Sequence, residues 1–178
     1  MGHARALGTI ALEAGGTPAL CLDLGSGGGV PGLVLACDWA GSRWTLLDSN
    51  LRSIAFLGEA VTGLNLAERV KVIAGRVEEV GRDPGHRGRY GLATARAVAP
   101  AAVVAEYLAP LLAPRGIAVV SEPPGSSARW DDDGLMGLGL SLLARSTEPV
   151  AAAVLQLTAE VPERYPRRTG VARKRPLW

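Results

Sequence analysis

The fold is decided by residues 21–32, which read Cys21-Leu22-Asp23-Leu24-Gly25-Ser26-Gly27-Gly28-Gly29-Val30-Pro31-Gly32. An apolar run stops at an acidic residue and a cluster of glycines, and a second apolar run then begins. This order is typical of the strand, tight turn and helix of a nucleotide-binding α/β unit. Gly25 and Gly27 can adopt positive φ and approach a ligand closely, and Gly29 would let the helix pack on the strand. Glycine clusters also occur in plain loops, so the motif by itself leaves that alternative open.

A second acidic residue follows at the spacing that a nucleotide site requires. The run Trp44-Thr45-Leu46-Leu47-Asp48 predicts a buried strand that ends in a carboxylate, and Asp48 lies 23 residues after Gly25. In such sites a carboxylate roughly 20 residues beyond the glycine motif binds the ribose hydroxyls. The two features in this order favour a nucleotide-type cofactor, although they do not identify it.

The rest of the chain predicts a parallel sheet that ends in a hairpin. Five strand-like segments alternate with helical segments, which is typical of a parallel sheet with helices on both faces. These segments are 19–24, 43–47, 70–74, 90–94 and 117–121. Residues 140–148 and 150–161 follow one another without an intervening helix, so we expect an antiparallel pair. The predicted fold class is α/β, a class I methyltransferase (Rossmann-like) fold with a mostly parallel seven-stranded sheet ending in an antiparallel hairpin. This ending favours S-adenosylmethionine over a nicotinamide cofactor.

Length and composition limit the other possibilities. The 178 residues fit one domain with a core, which we place at residues 1–161, followed by a basic tail at 162–178. Cys21 and Cys37 do not make a disulfide framework, and we expect both to be buried thiols. The sparse His and Cys residues predict no metal site. No apolar run reaches the roughly 18 residues of a membrane span, and no signal peptide is recognisable, so we expect a cytoplasmic protein without a membrane partner.

Basic residues concentrate in residues 162–178, which we name the C-terminal segment. Its cations are Arg164, Arg167, Arg168, Arg173, Lys174 and Arg175. Cations bind phosphate backbones and aromatic rings stack on unpaired bases, so these residues with Tyr165 and Trp178 form a candidate RNA-binding region. A solvated, flexible tail is the alternative, and the composition does not decide between the two.

Four pieces of sequence, in order along the chain, carry a family resemblance. They are the glycine motif at 23–32, Leu46-Leu47-Asp48-Ser49 followed by Phe56-Leu57, Gly75-Arg76-Val77-Glu78-Glu79, and Thr94-Ala95-Arg96-Ala97-Val98-Ala99-Pro100. The ending, with Tyr165-Pro166-Arg167-Arg168-Thr169-Gly170 and Lys174-Arg175-Pro176-Leu177, also matches. The chain thus resembles the bacterial 16S ribosomal RNA guanine-N7 methyltransferase family, also called the glucose-inhibited division protein B family. The resemblance covers nearly the whole chain.

The resemblance implies S-adenosylmethionine as the methyl donor and a guanine of 16S ribosomal RNA as the acceptor. It implies that the glycines line the methionine part of the cofactor, that Asp48 holds the ribose, and that Val77 and Glu78 lie beside the adenine. The implied cofactor-binding residues are Asp23, Gly25, Ser26, Gly27, Gly29, Asp48, Ser49, Val77, Glu78 and Arg96. Arg96, which ends the fourth strand, would face the methyl-transfer pocket and is the candidate catalytic residue.

Two of these residues have more than one possible role. Arg96 could position a phosphate or the guanine edge, or it could pair with Asp23 or Glu78 and only shape the pocket. Asp23 could contact the cofactor, or it could accept backbone N–H bonds and brace the glycine turn. An obvious nucleophile is not required, because guanine N7 carries a free lone pair and the transfer depends on alignment.

The sequence departs from the family pattern at two places. The family has a longer N-terminal helical region, of which this sequence would carry about the last helix. It also commonly has a lysine and a glycine after the fifth strand, where this chain reads Ser121-Glu122-Pro123-Pro124-Gly125. A carboxylate in place of a cation predicts weaker phosphate binding. A divergent cofactor-binding member with another acceptor, or a non-catalytic ribosome- or RNA-binding module, is therefore the alternative function.

Overall fold

The computed structural model describes residues 2–15, 18–123 and 129–178. The strands of these residues are β1 (Leu20–Leu24), β2 (Arg43–Asp48), β3 (Val70–Ala74), β4 (Tyr90–Ala95), β5 (Leu112–Ser121), β6 (Leu140–Ser146) and β7 (Ala152–Leu157). The helices are α1 (Gly2–Gly15), α2 (Gly32–Asp38), α3 (Leu51–Gly63), α4 (Val77–Val80), α5 (Ala101–Leu108), α6 (Asp132–Gly137) and α7 (Val171–Lys174). Pro124 and Gly125, which belong to the second departure from the family pattern, lie outside the described residues.

The strands form one sheet in the order β3-β2-β1-β4-β5-β7-β6. The first five strands of the chain pair in parallel, with β1 between β2 and β4. β7 lies antiparallel between β5 and β6, which confirms the predicted ending. The direction in which strands are added reverses beside β1, and in open α/β sheets ligands bind outside the carboxyl ends of the strands at such a reversal. The fold therefore places a ligand site near Leu24, Asp48 and Ala95, which end β1, β2 and β4.

Helices cover both faces of the sheet, and an apolar core forms on each face. One core joins α1, α2 and α3 to the sheet and includes Leu7, Leu35 and Leu57. The other joins α5, α6 and the C-terminal segment to the opposite face and includes Leu108 and Leu135. Strands that are buried on both faces need nearly continuous apolar sequence, which is the pattern of β1, β2 and β4. No helix of the described ranges is long and apolar enough to cross a membrane.

One predicted strand boundary and one predicted thiol differ from the structure. α5 ends at Leu108, because Pro110 lacks an N–H and its ring would clash with the preceding turn of an α-helix. A 3-10 turn follows, and β5 begins at Leu112 with a register shift against β4, whereas the predicted strand begins at residue 117. The prediction of a buried Cys37 is wrong, because this residue lies on the solvent side of the last turn of α2, whereas Cys21 is buried.

The C-terminal segment packs against the rest of the protein. Tyr165 is buried, and the segment includes the short helix α7. Two arginines from the loop before β4 hold its backbone: Arg82 Nε donates to the carbonyl of Pro166 at 2.9 Å, and Arg87 Nη1 donates to the carbonyl of Tyr165 at 2.7 Å. Of the two possibilities that the composition leaves open, the contacts therefore favour a packed segment over a solvated, flexible tail. Because Tyr165 is buried, its ring offers little surface on which a base could stack.

Candidate active site

A cleft opens at the carboxyl ends of β1, β2 and β4, where the sheet topology predicts a ligand. Its walls include five of the predicted cofactor residues, namely Gly25, Asp48, Ser49, Val77 and Arg96. The other lining residues are Leu24, Leu47, Gly75, Arg76, Ala97, Val98, Tyr107 and Arg173. The cleft thus combines three strand ends with residues from the first turn of α4, from α5 and from α7.

Two glycines of the turn, Gly25 and Gly29, lie where a side chain would clash with its neighbours. Gly25 lines the cleft with φ +68°, and a Cβ at this position would lie 2.8 Å from Cγ2 of Val98. Gly29 has φ +83°, and a Cβ there would lie 2.9 Å from Cβ of Leu33, which matches the predicted close packing of α2. The hydroxyl of Ser26 is buried and donates to the carbonyl of Asp23 at 2.9 Å. Ser26 and Gly29 therefore support the conformation of the turn and do not line the cleft.

Asp48 connects the glycine turn to the end of β2. Its Oδ2 accepts the N–H of Gly27 at 2.7 Å, and its Oδ1 accepts the N–H of Asn50 at 2.8 Å. The sequence does not predict this bracing role. Each carboxylate oxygen can accept a second hydrogen bond, and the side chain is partly exposed in the cleft. Asp48 can therefore hold the turn and still accept two ligand hydroxyl groups.

Asp23 is a bracing residue in this structure. Its side chain is buried, and its Oδ1 accepts the hydroxyl of Thr94 at 2.6 Å, which connects β1 to β4. Gly32 is needed beside it, because a Cβ at Gly32 would lie 2.4 Å from Cβ of Asp23. Asp23 does not line the cleft. Of its two possible roles, the geometry favours bracing of the turn.

Burial raises the pKa of Asp23 to about 6, although hydrogen bonding and the nearby Arg96 act in the opposite direction. The folded-state pKa thus lies above the unfolded value of 3.8, so the folded protein binds more protons than the unfolded chain between about pH 4 and 6. The contribution of Asp23 to stability is therefore fully present at low pH and is lost as the pH rises through 6.

Asp23→Asn is expected to remove this pH dependence. As the pH rises from 4 to 7, the wild type should lose up to about 3 kcal/mol of stability that the variant does not lose. The free energy of unfolding of the variant should therefore rise by that amount relative to the wild type. Urea unfolding at several pH values measures the difference, with Glu59→Gln on the exposed side of α3 as the control. A constant difference between wild type and Asp23→Asn across this range would contradict the prediction.

Arg96 lies over the glycine turn and lines the cleft. Its Nε donates to the carbonyl of Val30 at 3.2 Å, and its side chain is exposed. Among the described residues, the hydrogen-bond partner of Arg96 is thus a backbone carbonyl of the turn. Within the same residues, neither Asp23 nor Glu78 forms an ion pair with Arg96. This placement leaves the guanidinium able to bind an anion, which is the first of the two roles open from the sequence.

Glu78 lies behind the cleft and not in its lining. Its Oε1 accepts the hydroxyl of Tyr107 at 3.0 Å and the N–H of Gly170 at 2.9 Å. Burial acts to raise the pKa of Glu78, but the hydrogen bonds to its carboxylate and the charge of Arg76 outweigh burial and lower the pKa. The adjacent Val77 does line the cleft. The side chain of Glu78 therefore joins the C-terminal segment to α4, a role that differs from the contact with adenine implied by the family resemblance.

Arg76 and Tyr107 line the cleft but are missing from the sequence prediction, and Arg173 is predicted only as an RNA-binding cation. Arg76 lies within a motif of the family resemblance, so a signal for it exists. Tyr107 falls in the apolar run of α5, and Arg173 is one of several similar cations, so neither is distinguishable in sequence. Arg173 Nη2 donates to the carbonyl of Val98 at 3.0 Å, which holds α7 beside the cleft. Across the described part of the chain, no group of three or more His, Cys, Asp or Glu side chains could hold a metal ion.

The cations of the C-terminal segment differ in their availability. Five are exposed, namely Arg164, Arg168, Arg173, Lys174 and Arg175. Arg167 instead forms an ion pair with the buried Glu106, to which its Nε and its backbone N–H donate at 3.0 and 2.9 Å. Its charge is therefore already matched within the protein, which makes it a poor phosphate ligand.

Comparison with known proteins assigns the family. The rRNA small subunit methyltransferase G family matches residues 9–122. The chain belongs to this family. The ribosomal RNA small subunit methyltransferase G of Synechococcus sp. (strain WH7803) is 38% identical over 180 residues, which cover 93% of this chain and 69% of that protein. The protein of the same name from Prochlorococcus marinus (strain MIT 9313) is 40% identical over 174 residues, which cover 90% and 68%. The family resemblance inferred from the motifs is confirmed.

Solved structures confirm the fold of this family member. An RNA methyltransferase from Salinibacter ruber in complex with S-adenosyl-L-homocysteine superposes with a TM-score of 0.64 at 17% identity, over 91% of this chain and 94% of that one. A putative sarcosine dimethylglycine methyltransferase from Galdieria sulphuraria superposes with a TM-score of 0.72 at 15% identity, over 88% and 85%. The chain therefore has the class I methyltransferase fold.

Proposed function

We propose that this protein transfers a methyl group from S-adenosylmethionine to N7 of a guanine in small-subunit ribosomal RNA. The observation that carries the proposal is the meeting of Gly25, Asp48 and Arg96 in one cleft at the carboxyl ends of the central strands. A glycine turn, a ribose-binding carboxylate and an anion-binding cation are the groups that this reaction needs. Membership of the rRNA small subunit methyltransferase G family supports the choice of acceptor.

The residues present fit this cofactor. Gly25 and Val98 both line the cleft, and a Cβ at Gly25 would clash with Val98, so a glycine is needed where the turn meets the ligand site. The free acceptor capacity of Asp48 suits the two ribose hydroxyls, and Val77 offers an apolar contact for the adenine. When bound, S-adenosylmethionine supplies a methyl group on a sulfonium, which is already an activated donor.

The protein's own contribution is alignment and charge. Guanine N7 carries a lone pair and needs no general base, so catalysis requires that the two reactants be held in line. Arg76, Arg96 and Arg173 surround the cleft, while Asp48 is the acidic residue of its lining. This excess of positive charge suits an acceptor embedded in a phosphate backbone, because cations attract polyanions. Arg96 is positioned to bind a phosphate or the guanine edge beside the glycine turn.

Arg96→Ala is expected to lower kcat/KM for methyl transfer to small ribosomal subunits by about tenfold to a hundredfold. This is the effect of losing one hydrogen bond to a charged group. Its affinity for S-adenosylhomocysteine should change by less than about threefold, because the guanidinium is assigned to the acceptor. Radiolabelled methyl transfer to subunits that lack this modification measures the rate. Arg52→Ala, an exposed arginine on α3, is the control.

Mass spectrometry of the nucleosides from the reacted RNA tests the acceptor. One new 7-methylguanosine per subunit is the expected result. Label in another nucleoside or in protein would show that this family member has another acceptor. Binding of S-adenosylhomocysteine with no transfer to any ribosomal component would show a non-catalytic binding module.

A further inference from the structure

A second cavity adjoins the cofactor cleft at the carboxyl ends of β4 and β5. The two share Ala97 and Val98 in their linings. Half of the other lining residues have small apolar side chains, namely Ala95, Ala99, Ala101, Val104 and Val120. Trp130 also lines this cavity, together with Ser121, Glu122, Pro123 and Arg129. A cavity lined by an aromatic ring and small apolar side chains suits a flat, unpaired base better than a phosphate.

Trp130 is fixed in place by a chain of polar contacts. Its Nε1 donates to Oε1 of Glu122 at 3.0 Å. Oε2 of Glu122 accepts Nε and Nη2 of Arg145 at 3.1 and 2.9 Å. The Glu122 side chain is 1% exposed. The sequence predicts that the carboxylate of Glu122 opposes phosphate binding. In the structure this carboxylate is buried and paired with Arg145, and it orients the indole ring of Trp130.

The backbone beside Trp130 is held from a second direction. Trp178 Nε1 donates to the carbonyl of Arg129 at 3.0 Å. The Trp178 ring packs over α6 so closely that a Cβ at Gly134 would lie 2.2 Å from it. Two independent hydrogen bonds therefore fix the position of the Trp130 ring at the edge of the cavity.

We propose that Trp130 is the platform on which the unpaired acceptor purine stacks, and that Glu122 is a positioning residue that holds its ring. The assignment rests on the proposed function, because the base must enter beside the cofactor cleft. Stacking on an aromatic ring is a strong contact for an unpaired base. A ring that is already fixed loses little conformational freedom on binding, which increases the affinity gained from stacking.

The first test measures methyl transfer to small ribosomal subunits. Trp130→Leu is expected to lower kcat/KM by about tenfold to a hundredfold, while Trp130→Phe stays within about fivefold of the wild type. The affinity of both variants for S-adenosylhomocysteine should stay within about twofold, because Trp130 does not line the cofactor cleft. Trp39→Leu, a half-buried tryptophan in the opposite core, is the matched control. Full activity of Trp130→Leu would overturn the proposal.

A double-mutant cycle tests the positioning role. Glu122→Leu should lower kcat/KM about as much as Trp130→Leu, and the double variant should lose no more than either single variant. Glu122→Gln keeps an oxygen that can accept the indole N–H and should recover most of the activity. Additive losses would show that Glu122 acts separately from Trp130, which would overturn its assignment.

The second test does not depend on methyl transfer. With S-adenosylhomocysteine present, millimolar guanosine 5′-monophosphate should move the indole N–H resonance of Trp130, which the spectrum of Trp130→Phe assigns. The resonance of Trp44, whose Nε1 donates to the Ser42 hydroxyl, should not move. If the Trp130 resonance shifts saturably but the protein methylates no RNA, the stacking role of Trp130 stands and the proposed function is rejected. Active methyl transfer with an unmoved Trp130 resonance would reject the platform alone.

Discussion

Asp48→Ala is expected to weaken the binding of S-adenosylhomocysteine by about a hundredfold or more and to remove methyl transfer at ordinary cofactor concentrations. Two effects combine in this variant. It loses the hydrogen bonds to the ribose hydroxyls, each about 1.5–3 kcal/mol because the acceptor is charged. It also releases the N–H groups of Gly27 and Asn50, which Asp48 holds at 2.7 and 2.8 Å, so the glycine turn loses its brace.

Calorimetry on the full chain measures this affinity. Asp48→Asn should fall between the wild type and Asp48→Ala, because one of its two oxygen acceptors remains. Glu59→Ala removes an exposed carboxylate of α3 and controls for the change in net charge. A dissociation constant of Asp48→Ala equal to that of the wild type would rule out the ribose role of this residue.

Arg167→Ala is expected to lower the free energy of unfolding by about 3 kcal/mol. The side chain of Glu106 is 1% exposed, and Arg167 is its ion-pair partner. Removing one member of a buried pair leaves the other charge without compensation, which costs far more than losing a surface pair. For a domain of this size the loss corresponds to a fall in Tm of about 6–12 °C.

Thermal and urea unfolding measure this effect against a neighbouring arginine. Arg168→Ala should change the stability by less than about 0.5 kcal/mol, because its side chain is exposed. The double variant Glu106→Gln with Arg167→Met should recover much of the loss, since it removes both charges. Equal stability of Arg167→Ala and Arg168→Ala would mean that the pair contributes nothing to folding.

The sequence predicts the centre of the site because that part depends on strand ends. The carboxyl ends of parallel strands meet at one edge of a sheet, so a glycine turn after β1 and an acidic residue ending β2 must be neighbours. The hydrogen bond between Gly27 and Asp48 shows that the two are neighbours, although the sequence does not predict the bond itself. The final hairpin is predictable for a similar reason, since two strands without a helix between them pair antiparallel.

The sequence does not predict contacts that depend on distant partners. Glu78 lies in a recognisable motif, but its partners Tyr107 and Gly170 come from other elements and carry no local signal. From the sequence, Glu122 is predicted to weaken phosphate binding. The structure shows that its charge is paired with Arg145, which the sequence does not indicate. Periodicity identifies which residues are apolar, and it does not identify which buried carboxylate meets which arginine.

The contacts of the C-terminal segment have a consequence for the order of folding. Gly170 and Glu78 are separated by 92 residues, and Arg167 and Glu106 by 61. Contacts between such distant positions form only after much of the chain's loop entropy has been lost, so they belong to the late steps of folding. Because Arg173 in the same segment lines the cleft, the lining of the cleft would be complete only after these steps. A ligand that binds only the native state raises its stability by mass action. Cofactor binding would therefore also stabilise the folded C-terminal segment that supplies Arg173.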